Sequence, residues 1–168
     1  MAKKQLRHIK LGIGTSFNED PYKAAIEASN AAIEDCGYMP MFSLVYVDSR
    51  YDPKKILKGV NSVLGSNWMG CSVDTLLNSQ KGFMDNGITV VSIYTEHLKF
   101  SVAAVENYRK NPVKAGETAV SKAMAKINVD QYADPYVQFK RAQNKSYKDI
   151  VRNPPYFILM FCSGAKYV

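Results

Sequence analysis

MFSLVYVDSRYDPKKIL, residues 41–57, sets a buried strand, a polar turn and a helix start one after another. Met41 to Val47 is a near-continuous apolar and aromatic run, the pattern of a central strand covered on both faces. Asp52-Pro53 then opens a helix. The aspartate side chain accepts a free backbone N–H, and proline occupies the first helical position, where its missing N–H costs nothing. Ile56, Leu57, Val60, Val63 and Leu64 follow as one apolar stripe at helical spacing.

The same grammar extends in both directions. Upstream, His8 to Thr15 carries Ile9, Leu11 and Ile13 at period two, a strand with one strongly apolar face. Asp20-Pro21 starts a helix with Ala24, Ala25, Ala28, Ala31 and Ala32 along one side, small enough to lie close against a sheet. Downstream, Asn67 to Val73 reads as a shorter strand. Gly87 to Thr95 and Leu98 to Val105 read as two strands with only Glu96-His97 between them, which forces an antiparallel hairpin. Asn111-Pro112 starts a helix with Val113, Gly116, Val120, Ala123, Met124 and Ile127 as its stripe. Asp134-Pro135 starts another that turns Tyr136, Phe139, Tyr147, Ile150 and Val151 inward, and Tyr156 to Cys162 reads as a last buried strand. The predicted order is β-α-β-α-β-β-β-α-α-β: an α/β fold, a layered mixed sheet with a parallel βαβαβ start plus an antiparallel hairpin, helices packed on it. A single domain over 1–168 is expected. The Ser163-Gly164 turn so soon after an apolar run reads as the N-terminal part of a longer protein, or as a native end.

In open α/β sheets ligands bind beyond the carboxyl ends of the parallel strands. Three loops qualify. The first offers Thr15 and Ser16, the second Asp48, Ser49, Arg50, Tyr51 and Asp52, and the third a turn of Gly70, Cys71 and Ser72 followed by Asp74. Arg50, the one cation among them, has a fork suited to a carboxylate or phosphate. The plainer reading pairs it with a neighbouring acid such as Asp52.

Gly12-Ile13-Gly14 suggests a dinucleotide loop, with Asp48 where a ribose-binding acid would stand. Phe17, however, occupies the third glycine position and obstructs the close helix–strand contact that motif needs. No cofactor is expected. Cys71 as a nucleophile needs a base, and the only histidines are His8 and His97, neither placed beside it by sequence, so a structural or ligand-lining cysteine is preferred. No Cys-x-x-Cys or His-x-x-x-His pair occurs, and no metal is expected.

Composition bounds the rest. The chain of 168 residues is long enough to bury a core without cross-links, and no apolar run reaches the ~20 residues of a membrane helix. Three cysteines spaced far apart, with no apolar stretch after the charged N-terminus, point to a reducing, cytoplasmic protein. The net charge of +7 lies wholly in residues 98–168, which hold 12 Lys/Arg against 5 Asp/Glu. Gln138 to Arg152 interleaves Lys140, Arg141, Lys145, Lys148 and Arg152 with Phe139 and Tyr147, a pattern open to nucleic acid or an acidic partner. A core face with a solvated basic face opposite is the preferred reading, and nucleic acid is disfavoured.

Gly12-Ile13-Gly14-Thr15-Ser16, the Ala-rich first helix, Tyr51-Asp52, Gly70-Cys71-Ser72 and the Gly82 to Val91 stretch together resemble the FIST N domain. The resemblance implies a sensory domain of signal-transduction proteins, not an enzyme, that binds a small ligand such as an amino acid or other small carboxylate. In that family Gly-Cys-Ser usually runs into threonine and a further glycine-containing stretch, whereas here Val73-Asp74-Thr75-Leu76 follow, which implies a pocket chemistry of its own. A sensor without a kinase, cyclase or chemotaxis output implies a protein output partner, or a fragment of a longer protein. The competing readings are a Cys71-dependent enzyme and a module that binds nucleic acid or an acidic partner through the basic C-terminal region.

Overall fold

The structure is a computed structural model and describes residues 9–78, 82–84, 86–96, 98–127, 142–143 and 157–162. The chain falls into two compact units, 1–102 and 103–168.

The first unit begins with β1 (Lys10–Ser16), α1 (Pro21–Cys36), β2 (Phe42–Asp48), α2 (Pro53–Leu64) and β3 (Trp68–Val73). A small antiparallel hairpin, β4 (Leu76–Asn78) with β5 (Gly82–Met84), precedes β6 (Ile88–Tyr94). Four strands form one mixed sheet in the order β1-β6-β2-β3. β2 and β3 are parallel neighbours, while β6 runs antiparallel to both β1 and β2. The three strands of the βαβαβ start therefore share one direction as predicted, but β6 is inserted between the first two.

The expected hairpin of Gly87–Thr95 with Leu98–Val105 does not form. Both hydrogen-bonding edges of β6 are filled, by β1 and by β2, and Leu98 to Val105 takes no strand conformation. Phe100 instead stacks on Phe42, with ring centroids 5.0 Å apart.

Directly opposed residues share a sheet face, so the registers show which side chains lie together. Gly14, Val90, Val45 and Gly70 form one rung, and Gly12, Ser92, Ser43 and Trp68 the next. This face carries the helices. Ala24, Ala25, Ala28 and Ala32 of α1, Ile56 and Val60 of α2, and Val45, Ile88 and Val90 form the buried core, with Tyr51 at its edge. The alanine stripe lets α1 lie with its backbone directly on β1, a contact that only glycine at 12 and 14 permits: a Cβ on Gly14 would stand 1.9 Å from the Ala28 carbonyl oxygen.

The opposite face reverses an expectation. Ile9, Leu11 and Ile13, read as the strong apolar face of β1, are 51%, 58% and 38% exposed, while the glycine side is the buried one. β1 is an edge strand. One outward backbone donor on it, the Ile13 N–H, is capped by Asp35 Oδ2 at 2.8 Å, which blunts the edge against further strand pairing.

Asp20 and Asp52 cap α1 and α2 as read, Asp20 accepting from the Tyr22 and Lys23 backbone N–H groups and Asp52 from that of Lys54. Gly37 closes α1 with a left-handed φ of 72°.

The second unit contains a short 3-10 turn, Tyr108–Lys110, and α3 (Pro112–Met124), capped by Asn111 as predicted. None of the residues of α3 is buried, so its apolar stripe is not a core face in the described part of this unit. Phe157 to Cys162 forms no strand either, and Phe157 is exposed. An apolar run specifies a strand only where neighbours supply its ladder. The helix after Asp134, with Tyr136, Phe139, Tyr147, Ile150 and Val151, lies outside the described residues.

Candidate functional site

β1, β2 and β3 run in one direction, so their carboxyl ends reach the same edge of the sheet, where β6 begins between β1 and β2. Hydrogen bonds join the loops there. Tyr51 donates its phenol to the Asn18 carbonyl at 2.6 Å, tying the second loop to the first. Ser49 donates its hydroxyl to Asp74 Oδ1 at 2.9 Å and its backbone N–H to the Val73 carbonyl at 2.9 Å, tying the second to the third. The Asp48 N–H reaches the Gly87 carbonyl at 2.9 Å, tying the second loop to the entry of β6.

Within the first loop Ser16 is buried and donates to Glu27 Oε2 at 2.6 Å, and Asn18 donates to Glu27 Oε1 at 2.8 Å. These bonds, Ser16 first, hold the Glu27 carboxyl below its ordinary value. Thr15 lies on the sheet face away from the helices, its hydroxyl 3.3 Å from that of Thr89.

Asp48 is the buried centre of the second loop, its side chain 1% exposed. Arg50 grips it bidentately, Nε to Oδ1 at 2.8 Å and Nη2 to Oδ2 at 2.6 Å, and the Arg50 backbone N–H also donates to Oδ1 at 2.8 Å. Arg50's hydrogen bonds hold the Asp48 carboxyl below its ordinary value against the opposing effect of burial. The arginine thus pairs with an acid, as the plainer reading had it, but with Asp48. Asp52 is engaged instead in capping α2. Tyr51 is buried, and burial raises its phenol above the usual value.

The third loop needs correction. Gly70, Cys71 and Ser72 are not a turn after the strand but lie inside β3, opposite Val45, Tyr46 and Val47. Glycine at 70 serves strand packing, since a Cβ there would stand 2.1 Å from the Val45 carbonyl oxygen. Asp74 alone of that set lies in the loop. The edge therefore brings together Thr15, Ser16, Asp48, Ser49, Arg50, Tyr51, Asp52 and Asp74. It adds Glu27, Asn18, Asn86 and Thr89, which sequence reading did not single out as site residues. Glu27 carries no local signal, because it reaches the edge from the second turn of α1.

Cys71 is part-buried and shares a rung with Tyr46, Thr89 and Thr15. Burial raises its thiol above the ordinary value, which keeps it protonated and disfavours nucleophilic use. His8 and His97 lie outside the described residues. At neutral pH iodoacetamide is expected to alkylate Cys71 more slowly than a free thiol and more slowly than the exposed Cys162, read by mass spectrometry of the labelled peptides.

A separate open cleft of about 220 Å³ lies at the first turns of α1 and α2, lined by Asp20, Tyr22, Lys55 and Lys58. It contains none of the candidate ligand-binding residues read from sequence. Among the described residues no group of three or more His, Cys, Asp or Glu is placed to hold a metal ion, and no helix is long and apolar enough to cross a membrane.

Compared with known proteins, residues 42–167 match the family model described as the FIST N domain. The matched span includes β2 onward and leaves out β1 and α1, which carried part of the resemblance read from sequence. No curated protein matches the chain. Among solved structures it is similar to an FtsZ point mutant from M. jannaschii at 17% identity and a TM-score of 0.33, over 52% of this chain and 27% of that one. At that score the likeness carries no argument.

Proposed function

We propose, from the premise that the chain belongs to the FIST N domain family, that its strand-end edge receives the small ligand of a sensory protein. FIST domains are sensory domains of signal-transduction proteins, a role that fits a non-catalytic protein. The ligand is an amino acid or other small carboxylate. It meets the loops at Thr15 and Ser16, at Asp48 to Asp52 and at Asp74, with Gly70, Cys71 and Ser72 in the strand beneath. What supports this is the cross-linking of three strand-end loops, Tyr51 to Asn18 and Ser49 to Asp74, into one polar edge. Loops fixed to each other present their groups in a set geometry, and less ordering cost is then left for binding.

The cytoplasm is the proposed compartment, supported by three free cysteines. A protein partner carries the output. The alternative of a nucleic-acid module rests on Gln138 to Arg152, which falls almost wholly outside the described residues.

A thermal-shift screen across the amino acids and small carboxylates tests the reading. A ligand at 100 times its Kd should stabilise the fold by about 2.7 kcal/mol, a shift of several degrees. The shift should shrink in Ser49→Ala combined with Tyr51→Phe, which removes both side-chain ties between the loops. A screen without any response defeats the amino-acid reading.

A further inference from the structure

The two outer edges of the mixed sheet are guarded unequally. β1 carries Lys10, and Asp35 caps its outward Ile13 N–H. β3, Trp68–Val73, holds no charge and no proline, and no strand among the described residues pairs with its far side. The carbonyls of Asn67 and Val73 accept from the Ser43 and Ser49 N–H groups, so the odd-numbered residues of this segment direct their backbone groups at β2. Strand backbone alternates sides, and Trp68, Gly70 and Ser72 therefore turn their N–H and C=O groups outward. An uncharged edge of this kind is a template for a strand of another chain.

The helix above the edge matches it. Trp68 Nε1 donates to Asn61 Oδ1 at 2.8 Å, which places that face of α2 over β3. Leu57, one turn before Asn61 on the same face, is 47% exposed. The other side of α2 faces α1: Lys58 Nζ lies 5.8 Å from the Tyr22 ring centroid, and a Cβ on Gly59 would stand 2.7 Å from the Ala25 Cβ. α2 leaves the end of β2 and returns to the start of its parallel neighbour β3, so it runs opposite to both. The turn from Asn61 back to Leu57 thus climbs about 6 Å, close to the rise of about 6.6 Å from Trp68 to Gly70. Leu57 stands level with Gly70.

We propose that β3 pairs with β3 of a second copy of this chain, antiparallel about a two-fold axis through Gly70. The outward groups at 68, 70 and 72 are symmetric about that residue, a condition of self-pairing that a foreign strand does not impose. Gly70 exchanges both backbone bonds with Gly70 of the partner subunit, and Trp68 does so with Ser72 of the partner subunit. Met69 faces the partner subunit's Cys71, and Leu57 meets the partner subunit's Leu57 on the axis. No like charges meet within the strand pair. The contact is independent of the ligand reading.

Sedimentation equilibrium of the full chain, followed up to about 1 mM, should show a dimer whose fraction grows with concentration. Leu57→Lys sets two ammonium groups against each other on the axis and should weaken the dimer at least about tenfold. Ser72→Pro removes an outward N–H without touching a bond to β2, a position where edge strands accept proline, and should abolish it. In a Cys162→Ser background, Met69→Cys should form a disulfide with the partner subunit's Cys71 under mild oxidation. Directly opposed residues outside the hydrogen-bonded pairs lie about 4.5 Å apart at Cα, within reach of that bond. Adding Cys71→Ser should remove the cross-link. If Ser72→Pro lowers the melting temperature, Leu57→Lys carries the comparison alone. A chain that stays monomeric throughout overturns the proposal. So does a dimer that Leu57→Lys leaves as tight as the parent and that Met69→Cys does not cross-link, because its contact then lies elsewhere.

Discussion

Gly14→Val is expected to remove the folded state of residues 1–102 at ordinary temperatures. A Cβ at position 14 would lie 1.9 Å from the Ala28 carbonyl oxygen and 2.4 Å from the Ala32 backbone nitrogen. Both obstacles are helix backbone, so no rotamer change relieves the clash. α1 must lift from β1 by an ångström or more, and that motion pulls Ala24, Ala25, Ala28 and Ala32 out of the core they share with Val45 and Val90. Ordinary overpacking costs about 1–3 kcal/mol, where side chains can adjust. Here they cannot, and the expected loss exceeds about 4 kcal/mol, against a typical total of about 5–15 kcal/mol for a whole protein. Circular dichroism and urea titration check it. The control is Gly116→Ala in α3, where an added Cβ meets nothing within 4 Å. That change should leave stability unchanged or raise it by up to about 1 kcal/mol, since alanine is the better helix former. A Gly14→Val protein melting close to the parent would mean that α1 does not sit on the strand backbone.

The same two glycines show how far sequence carries. Gly12-Ile13-Gly14 falls in a predicted strand and only superficially suggests a dinucleotide loop, which Phe17 argues against, but nothing local announces that the glycines seat a helix. The clue is distant, in the alanines of α1, and it needs both partners to be read together. Helix starts are legible because their physics is local. An Asx oxygen and the following proline satisfy the first turn unaided, and Asp20, Asp52 and Asn111 cap as expected. Strand existence is also legible in a central strand such as β2, whose residues are all buried or half-buried.

Strand order is not, because the pattern of one strand says nothing about which edge it joins. Ile88 to Tyr94 pairs with β1 and β2, so Leu98 to Val105 finds no edge to join despite its strand-like composition. Likewise Gly70-Cys71-Ser72 looks like a turn from its small residues, yet glycine is there to let Val45 approach. For the candidate site, sequence places the strand-end loops at a common edge once the shared direction is granted. It leaves out Glu27 and Asn86, whose positions follow from tertiary packing alone.

Arg50→Met is the second large effect, and its size depends on pH in a defined way. Asp48 has a side chain 1% exposed, and the substitution removes two charge-assisted hydrogen bonds while sparing the backbone N–H of residue 50. Stripping one partner from a fully buried pair costs about 3–5 kcal/mol. Arg50 is 63% exposed, so water partly replaces it, and about 2 kcal/mol at pH 7 is the discounted expectation. In the parent protein the Asp48 carboxyl is held below its unfolded value near 3.8, so it adds stability above that pH and loses it as pH falls through the lowered folded value. Without Arg50, desolvation is the main force left on the carboxyl and raises it above 3.8, which reverses the sign: the variant loses stability as pH rises through about 4 and upward. The gap between the two proteins should therefore be widest at neutral pH and narrow as pH falls below the ordinary 3.8, closing only beneath the parent's lowered folded value, where both carry a neutral Asp48. Chemical denaturation from pH 3 to 8 reads this directly. Asp48→Asn with Arg50→Met, which removes charge from both sides, should flatten the profile. A deficit in Arg50→Met that stays constant with pH would show that the arginine acts through its packing and not through the buried carboxylate.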